Sequence, residues 1–422
     1  MDDHTLSADS GHAAMLDRLA RITVHVGLNL APGQELVITA PLDAAGLVRR
    51  VTEHAYKAGA SLVTTFFTDE IAKRARFRFA PDDAFDTAAT WLADGIANAF
   101  RANAARLAIT GEDPALLAAE DPERIARANR ANARANQASL GLITNFTINW
   151  NIIACATPAW ARTMFPDDAA DTALEKLWNA IFAASRLDGA DPVEEWRAHD
   201  ARLHAQAALL NAHNYASLQF TGPGTELSVG LADGHKWLGG SGTATNGITC
   251  LPNIPTEEVF TTPHRNRVEG HVRSSKPLSY QGTLIDGIAV RFEGGRIVQA
   301  SAEKGGTVLD RVLGTDEGSR RLGEVALVPH SSPISRSGLL FQNTLFDENA
   351  ASHIALGQAY STCLHDIEGL DAAGLAARGA NASLIHIDWM IGSGEIDVDG
   401  ITQSGNREPL MRAGEWVNPP VA

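Results

Sequence analysis

The stretch ELVITAPLDAAGLVRRVTEHAYKAGASLVTTFF, residues 35–67, predicts the fold of the first half of the chain. It contains a short apolar strand at 35–39 and a second strand at 62–67. Between them, residues 44–58 form a predicted helix that Asp43 caps. A strand, a helix and a strand within about thirty residues form a βαβ unit, which makes neighbouring parallel strands. We therefore expect an α/β domain built on a parallel sheet.

Further elements of the first half lie on either side of this stretch. Apolar residues at helical spacing predict a helix at 14–26, and residues 106–110 predict another strand of the parallel sheet. The run rich in Ala, Arg and Asn at 114–139 is typical of a solvated helix. A strand is expected at 142–148 and a long helical stretch at 174–210.

The character of the sequence changes in the middle of the chain, where Gly, Pro and Thr become frequent and short alternating segments begin. The tight turn at 293–296 predicts a β-hairpin, and a helix is expected at 349–363. We expect an α/β domain at 1–210 and an α+β, largely antiparallel-β, metal-binding domain at 211–422. The segments that support the second domain are the alternating ones at 226–230, 268–272, 287–292 and 296–300 and a helix at 305–313.

The composition predicts a soluble, cytoplasmic protein. The chain has 422 residues and a net charge of −15, which repels the phosphates of nucleic acid. Its apolar runs are too short to span a bilayer, and residues 1–13 are acidic and polar, unlike a secretory signal. The three cysteines are widely spaced, which argues for a reducing compartment and against a thiolate metal site. We expect no nucleic-acid partner and no membrane partner.

Common hydrolase and nucleotide motifs are absent from the sequence. There is no HExxH zinc motif and no GxSxG nucleophile elbow. The Gly-rich stretch at 220–225 lacks the lysine of a phosphate-binding loop, so a turn is expected there.

The segment LIHIDWM, residues 384–390, is the most informative for chemistry. Side chains alternate between the two faces of a strand, so His386 and Asp388 point to the same face of an otherwise apolar strand. That geometry suits two ligands of one metal ion, or ligands of two adjacent ions. The alternative is a buried His–Asp pair whose two side chains only form a hydrogen bond with each other.

A second segment, LFDENAASHIALGQAY at 345–360, carries further candidate residues. A helix beginning near Ala350 would place His353 and Tyr360 on one face, because they are seven residues apart. Glu348 would lie at the N-terminus of that helix.

Carboxylates supply the remaining candidates. Glu324 begins an apolar strand, where a carboxylate is either a solvated end or a site residue. Glu257 and Glu258 are adjacent and point to opposite sides of an extended chain. One of them therefore faces any site, and the other is a surface or salt-bridge residue.

Together these residues form a set of carboxylates and imidazoles: Glu258 or Glu257, Glu324, His353, His386 and Asp388. Without thiolates, the set suits zinc, cobalt, manganese or magnesium. It exceeds the need of one catalytic metal and fits a two-metal site with a bridging carboxylate. Two metal ions activate water, polarise a carbonyl and stabilise an oxyanion, which is the chemistry of hydrolysis.

Three stretches resemble the aminopeptidase T and aminopeptidase S (thermophilic aminopeptidase) family of dinuclear metallopeptidases. They are NIPTEEVFTTPHRNRVEG from residue 253, LGEVALVPHSSPISRSGLLFQNTLFDENAASHIALGQAY from 322 and SLIHIDWMIGSGEIDVDG from 383. The family's active-site tyrosine matches Tyr360, and one of its acidic positions matches Glu348. The family's metal ligands match Glu258, Glu324, His353, His386 and Asp388, which selects Glu258 over Glu257.

The resemblance implies a metal-dependent aminopeptidase that removes N-terminal residues from short peptides with a water activated by two divalent metal ions. It also implies a homodimer that encloses its active sites. In the implied mechanism Glu324 bridges the ions, and one ion or a nearby carboxylate such as Glu348 receives the substrate's α-amine. Tyr360 donates a hydrogen bond to the oxyanion. The preferred N-terminal residue, the physiological metal and the general base do not follow from the sequence.

Three alternatives keep the same fold. One is an amidase acting on a non-peptide amide, since fold and metals do not fix the substrate. Another is a ring-opening dihydroxypyridine dioxygenase, which resembles this family and uses a single iron. A third is a binding protein without catalytic activity. The complete ligand set argues against the dioxygenase and the binding protein. Metal content also distinguishes these two from a two-metal hydrolase, but it does not distinguish the amidase.

Overall fold

The computed structural model describes residues 10–280 and 282–419. The prediction that residues 1–13 are not a secretory signal falls mostly on residues 1–9, which lie outside the described residues. The strands, numbered in chain order, are β1 Glu35–Pro41, β2 Leu62–Thr68, β3 Ala105–Thr110, β4 Trp150–Ala154, β5 Ser217–Gly222, β6 Thr225–Leu231, β7 Gly242–Thr243, β8 Thr249–Cys250, β9 Val259–Thr261, β10 Pro263–Arg273, β11 Leu278–Tyr280, β12 Thr283–Ile285, β13 Ala289–Glu293, β14 Arg296–Ser301, β15 Leu322–Leu327, β16 His353–Gly357, β17 His386–Met390, β18 Asp397–Ile401, β19 Arg407–Arg412 and β20 Glu415–Trp416.

The helices are numbered in the same way. They are α1 Ser10–Ile22, α2 Ala45–Lys57, α3 Glu70–Phe79, α4 Thr90–Arg101, α5 Pro122–Thr144, α6 Pro158–Met164, α7 Ala170–Ala184, α8 Pro192–His213, α9 Gly306–Leu313, α10 Pro333–Ser337, α11 Thr344–Asp347 and α12 Ala372–Ala377. Within the described ranges, the helices all fall short of the length and apolar character that a membrane span requires.

The chain divides into two compact units. The first unit contains Met1–Arg197 and Ser241–Pro255, and the second contains Ala198–Gly240 and Thr256–Ala422. A short segment from the second half of the chain therefore belongs to the first unit. The domain boundary near residue 210 stays a prediction.

The first unit contains the parallel sheet that the sequence predicts. Its strands are ordered β2-β1-β3-β4, and each neighbouring pair is parallel. The middle strands are buried on both faces, with Leu36, Ile38 and Leu107 fully inaccessible to solvent. This burial is typical of a parallel sheet that helices cover.

The strand predicted at 142–148 is wrong. Helix α5 continues to Thr144, and the next strand begins only at Trp150. The left-handed conformation of Phe146, with a φ of 51°, ends the helix. Ile143 packs into a core cluster with Phe100, so the apolar residues that resemble a strand cover the last helical turn.

Two smaller predictions for the first half also need correction. Asp43 does not cap α2, because it lies in a 3-10 turn and the helix begins after Ala44 without a side-chain cap. The helical stretch at 174–210 is interrupted, since α7 ends at Ala184 and α8 begins at Pro192.

The second unit is built mainly from antiparallel strands, as predicted. One sheet has the order β14-β13-β10-β6-β5-β18-β19-β20, and a four-stranded sheet has the order β17-β16-β15-β9. A single core cluster contains Phe220 and Val229 from the first of these sheets together with Val325, Ile354 and Trp389 from the second. The four-stranded sheet carries the candidate functional residues.

The helix predicted at 349–363 is wrong, because this region contains the buried strand β16, His353–Gly357. The preceding helix α11 covers only four residues, and its cap is Asn343. Ala351 is fully extended, with φ and ψ of −167° and 163°. The apolar run at 354–356 pairs with β15 on one side and β17 on the other, which fixes it as a strand.

Candidate metal centre

Strand pairing collects four of the predicted residues on one face of the four-stranded sheet. Ala355 on β16 pairs with Glu324 on β15 and with Asp388 on β17. His353 and His386 each lie two residues before a member of this row, so their side chains point to the same face. The small side chain of Ala355 between the two carboxylates leaves room above the sheet.

Glu258 joins this group from outside the sheet. It immediately precedes β9, which begins at Val259 and pairs with Leu327 on β15. The residue is 9% exposed, and Glu324 and His353 are 4% and 1% exposed. The structure therefore brings together all five residues predicted as metal ligands.

The ligand atoms form two groups that share one carboxylate. His353 Nε2 lies 3.2 Å from Glu258 Oε2 and 3.5 Å from Glu324 Oε1. His386 Nε2 lies 3.5 Å from Glu324 Oε2 and 3.4 Å from Asp388 Oδ1. Within each group the ligand atoms lie within 4.8 Å of one another, and Glu324 belongs to both groups.

Backbone carbonyls orient both imidazoles. His353 Nδ1 lies 3.2 Å from the carbonyl oxygen of Ala351, and His386 Nδ1 lies 2.7 Å from that of Gln358. A carbonyl oxygen only accepts, so Nδ1 carries the proton in each of these hydrogen bonds. Nε2 is then the atom that faces the carboxylates, as in histidines that bind metals.

The electrostatics of the cluster favour positive charge. Burial raises the pKa of the Glu258 carboxyl, and it raises the pKa of Glu348 well above its ordinary value, with the charges of Glu258 and Asp388 adding to that effect. Burial opposes the charged form of the imidazoles, but the carboxylates outweigh it. They raise the pKa of His353 well above its ordinary value and that of His386 to about 11.

The residues present fit divalent metal ions. Among the described residues, Glu258 Oε2 and Asp388 Oδ1 are buried without a hydrogen-bond partner, although imidazole nitrogens lie 3.2 Å and 3.4 Å away. Buried carboxylate oxygens without partners destabilise a fold, and a cation compensates them directly. Oxygen and imidazole donors without thiolate suit zinc and related ions.

Tyr360 and Glu348 lie beside the cluster. Tyr360 does not share a helix face with His353, because it follows β16, but its ring centroid lies 4.7 Å from that of His386. Desolvation, and then the charges of Glu324 and Asp388, raise the pKa of the Tyr360 phenol. Glu348 lies in a 3-10 turn rather than at the start of a long helix, and its Oε1 is 3.5 Å from Asn349 Nδ2.

Glu257 lies outside the cluster. Its side chain is 3% exposed, and its Oε2 lies 3.7 Å from Nε2 of the buried His199. Glu257 is therefore the glutamate of the adjacent pair that lies beside a histidine outside the site, as in the salt-bridge role considered for one of the two.

Two residues that support the cluster were not identified from the sequence. Gln358 orients His386 through its backbone carbonyl, and Asn349 accepts a hydrogen bond from the Glu257 backbone N–H at 2.7 Å. Neither role has a local sequence signal, because one uses the backbone and the other joins segments far apart in the chain.

Comparison with known proteins identifies the family that the chain resembles. The profile of the thermophilic metalloprotease (M29) family matches residues 12–416. The chain is 52% identical over 403 residues to aminopeptidase T of Thermus thermophilus, covering 95% of this chain and 98% of that protein. It is 45% identical over 401 residues to aminopeptidase 2 of Geobacillus stearothermophilus, covering 95% and 97%. The solved structure of wild-type AmpT from Thermus thermophilus superposes with a TM-score of 0.92 at 51% identity, covering 96% of this chain and 99% of that one.

Proposed function

The chain belongs to the thermophilic metalloprotease (M29) family and is a metal-dependent aminopeptidase, and we propose that two divalent metal ions bind around Glu324. The observation that carries this proposal is that Glu324 belongs to both ligand groups. One position is formed with Glu258 and His353, and the other with His386 and Asp388. A carboxylate between two such groups suits the bridging ligand of a two-metal hydrolase.

The donor set supports zinc, cobalt, manganese or magnesium as the ions, because it contains only carboxylate oxygens and imidazole nitrogens. When bound, two such ions lower the pKa of a water molecule and polarise the substrate carbonyl. The chain's own residues hold the ions, orient the substrate and stabilise the charge that develops.

Tyr360 acts in this proposal as the donor to the oxyanion. Its raised pKa keeps the phenol protonated at neutral pH, so it can donate a hydrogen bond to the negative oxygen of the tetrahedral state. Glu348 receives the α-ammonium group of the substrate, which requires a free N-terminus. Burial, together with repulsion from Glu258 and Asp388, raises the pKa of Glu348, and a positive ligand beside it offsets that repulsion.

The proposed substrates are short peptides with a free N-terminus, and the proposed assembly is a homodimer that encloses its active sites. The aminopeptidase names of the relatives support the substrate class. A cytoplasmic location is proposed as well, and it is supported by Cys155, Cys250 and Cys363, which are free thiols buried in the fold.

The test is hydrolysis of aminoacyl p-nitroanilides and dipeptides by the chelated protein, before and after addition of zinc, cobalt, manganese or magnesium. Each peptide is paired with its N-acetylated form to test the requirement for a free amine. Glu324→Ala is compared with Glu226→Ala, which removes an exposed carboxylate from β6 in the same unit.

Metal-restored cleavage that Glu324→Ala abolishes and Glu226→Ala retains supports the proposal. Loss of cleavage on N-acetylation supports the role of the free N-terminus. Equal rates for Glu324→Ala and the unsubstituted chain would refute the bridging role. The amidase and the single-iron dioxygenase find no support, because the relatives named above are aminopeptidases.

A further inference from the structure

Glu258 is positioned differently from the other members of the cluster. Glu324, His353, His386 and Asp388 lie on strands, whose ladder hydrogen bonds fix their places. Glu258 precedes β9 and lies in a segment without regular structure. Contacts from elsewhere in the second unit must therefore hold it in place.

A histidine and an asparagine contact this segment. His199 Nε2 lies 2.8 Å from the carbonyl oxygen of Thr256. On the following residue, the Glu257 backbone N–H donates to Asn349 Oδ1 at 2.7 Å. The second contact is adjacent to Glu258 along the chain, so Asn349 controls the backbone from which the Glu258 side chain extends.

The amide nitrogen of the same side chain contacts a different segment of the chain. Asn349 Nδ2 donates to the carbonyl oxygen of Leu345 at 3.1 Å and lies 3.5 Å from Glu348 Oε1. The amide orientation is unambiguous, because the Glu257 N–H only donates and the Leu345 carbonyl only accepts. Asn349 is fully buried, so water does not replace these partners.

We propose that Asn349 is a positioning residue, whose amide fixes the Glu258 segment relative to Glu348 and so shapes the metal position formed by Glu258, Glu324 and His353. This inference rests on the proposed two-metal function. Asn349 itself binds neither metal nor substrate. It acts through its two neighbours, and the position formed by Glu324, His386 and Asp388 does not depend on it.

An asparagine suits this role because it combines an acceptor and a donor on a short side chain. Asn349→Ala removes both, so the buried N–H of Glu257 loses the acceptor that Asn349 provides. Asn349→Asp has nearly the same shape and keeps the acceptor for that N–H, but it loses the amide donor to the Leu345 carbonyl and toward Glu348. The two variants therefore separate support of Glu258 from support of Glu348.

The experiment measures metal binding by the full-length chain directly. Metal-free unsubstituted protein, Asn349→Ala and Asn349→Asp are titrated with Co²⁺, whose absorption reports its coordination, and bound ions are counted after dialysis against buffered Zn²⁺. Thermal unfolding is followed with and without metal. Asn149→Ala is the matched control, because Asn149 is also fully buried, donates to the Leu28 carbonyl at 2.8 Å and bonds the Gln34 side chain, all in the first unit.

In Asn349→Ala we expect one ion to bind as in the unsubstituted chain and the other to bind at least about tenfold more weakly, a loss of about 1.4 kcal/mol. Asn349→Asp should recover much of the affinity for the second ion, because the Glu257 N–H keeps its acceptor. Asn149→Ala should lower the melting temperature while both metal affinities stay unchanged.

Unchanged affinity for both ions in a folded Asn349→Ala protein would overturn the proposal, as would equal weakening of both ions. If Asn349→Ala does not fold, the same comparison is made with Asn349→Leu, which keeps the bulk of the side chain and removes both the acceptor and the donor. A second-ion affinity below that of Asn149→Ala then supports the role, and equality refutes it. If the unsubstituted chain binds fewer than two ions, the two-metal proposal fails separately. The positioning role is then tested on the remaining ion. It is supported if Glu258→Gln and Asn349→Ala both weaken that ion, and it is overturned if Asn349→Ala leaves its affinity unchanged.

Discussion

The middle strands of the parallel sheet in the first unit and the strands β15 and β16 in the second unit are deeply buried, but they carry different side chains. The middle strands β1 and β3 contribute apolar side chains such as Leu36 and Leu107. Strand β15 is equally buried along its length yet carries Glu324, which faces two histidines. Among the described residues, the groups with the spacing of a metal site all lie in the second unit.

The second unit therefore buries charged groups that lower its stability but form the candidate metal centre. A buried carboxylate destabilises a fold unless it is paired or bound to a metal. The strands around Glu324 carry enough apolar residues, including Val325 and Ile354, to keep the sheet folded around the charged cluster. Substitutions in the two sheets should therefore separate catalysis from stability.

The largest effect is expected for Glu324→Gln. The amide keeps the shape of the side chain but has no negative charge with which to bridge two cations. We expect kcat/KM to fall by about 1,000-fold, or about 4 kcal/mol. The rise in melting temperature on adding metal to the chelated protein should also largely disappear, since each tightly bound ion stabilises the folded state by several kcal/mol. Activity and melting curves with and without metal check both, and a full metal-dependent rise with normal activity would contradict the bridging role.

The matching substitution in the first unit is Leu107→Ala on β3. Leu107 is fully buried, so its truncation should lower the free energy of unfolding of that unit by about 3 kcal/mol through lost burial and a residual cavity. Denaturant unfolding measures this change. Because the first unit contains none of the candidate ligands, kcat/KM per folded molecule and the number of bound ions should stay unchanged. A fall in metal content would show that the two sheets are not separable in this way.

The adjacent glutamates allow a sharper comparison inside the second unit. Glu258→Gln should lower kcat/KM by about 100-fold and weaken one of the two ions, because a charged ligand of one position becomes neutral. Glu257→Gln should change mainly stability, since Glu257 pairs with His199 and lies outside the cluster. Kinetic constants and metal counts on both variants decide the assignment. The reverse result would mean that Glu257 rather than Glu258 faces the metals.

The accuracy of the sequence-based predictions differs between the same two regions. The βαβ unit at 35–67 was predictable because its periodicity and turns are local. The structure of the segment around His353 was not, since the apolar run at 354–356 fits either a buried strand or a buried helix. Its pairing with β15 and β17 decides the matter, and those partners are about thirty residues away on either side.

The candidate ligands could be predicted from the sequence mainly through the family resemblance, because His386 and Asp388 alone also fit a buried pair whose side chains only bond each other. Their supports could not be selected. Nothing in the sequence distinguishes Asn349 from other asparagines, because its contact with the Glu257 backbone depends on the fold. Gln358 orients His386 through its backbone carbonyl, a group that every residue has.

The smallest effect is expected for thiol modification, which should leave activity unchanged. Burial raises the pKa of all three cysteine thiols, that of Cys250 to about 11, so the reactive thiolate is scarce near pH 8. Iodoacetamide should label the native protein on the order of 100-fold more slowly than the urea-unfolded protein, as mass spectrometry of the intact chain reports.

The positions of the cysteines turn this measurement into a comparison of the two units. Cys155 and Cys250 lie in the first unit and Cys363 in the second. If bound metal stabilises mainly the second unit, chelation should accelerate labelling of Cys363 in moderate urea and leave the other two nearly unchanged. Peptide mapping of the labelled sites measures this directly. Equal acceleration at all three positions would mean that the units open together, and that the stability which the metals supply is shared by the whole fold.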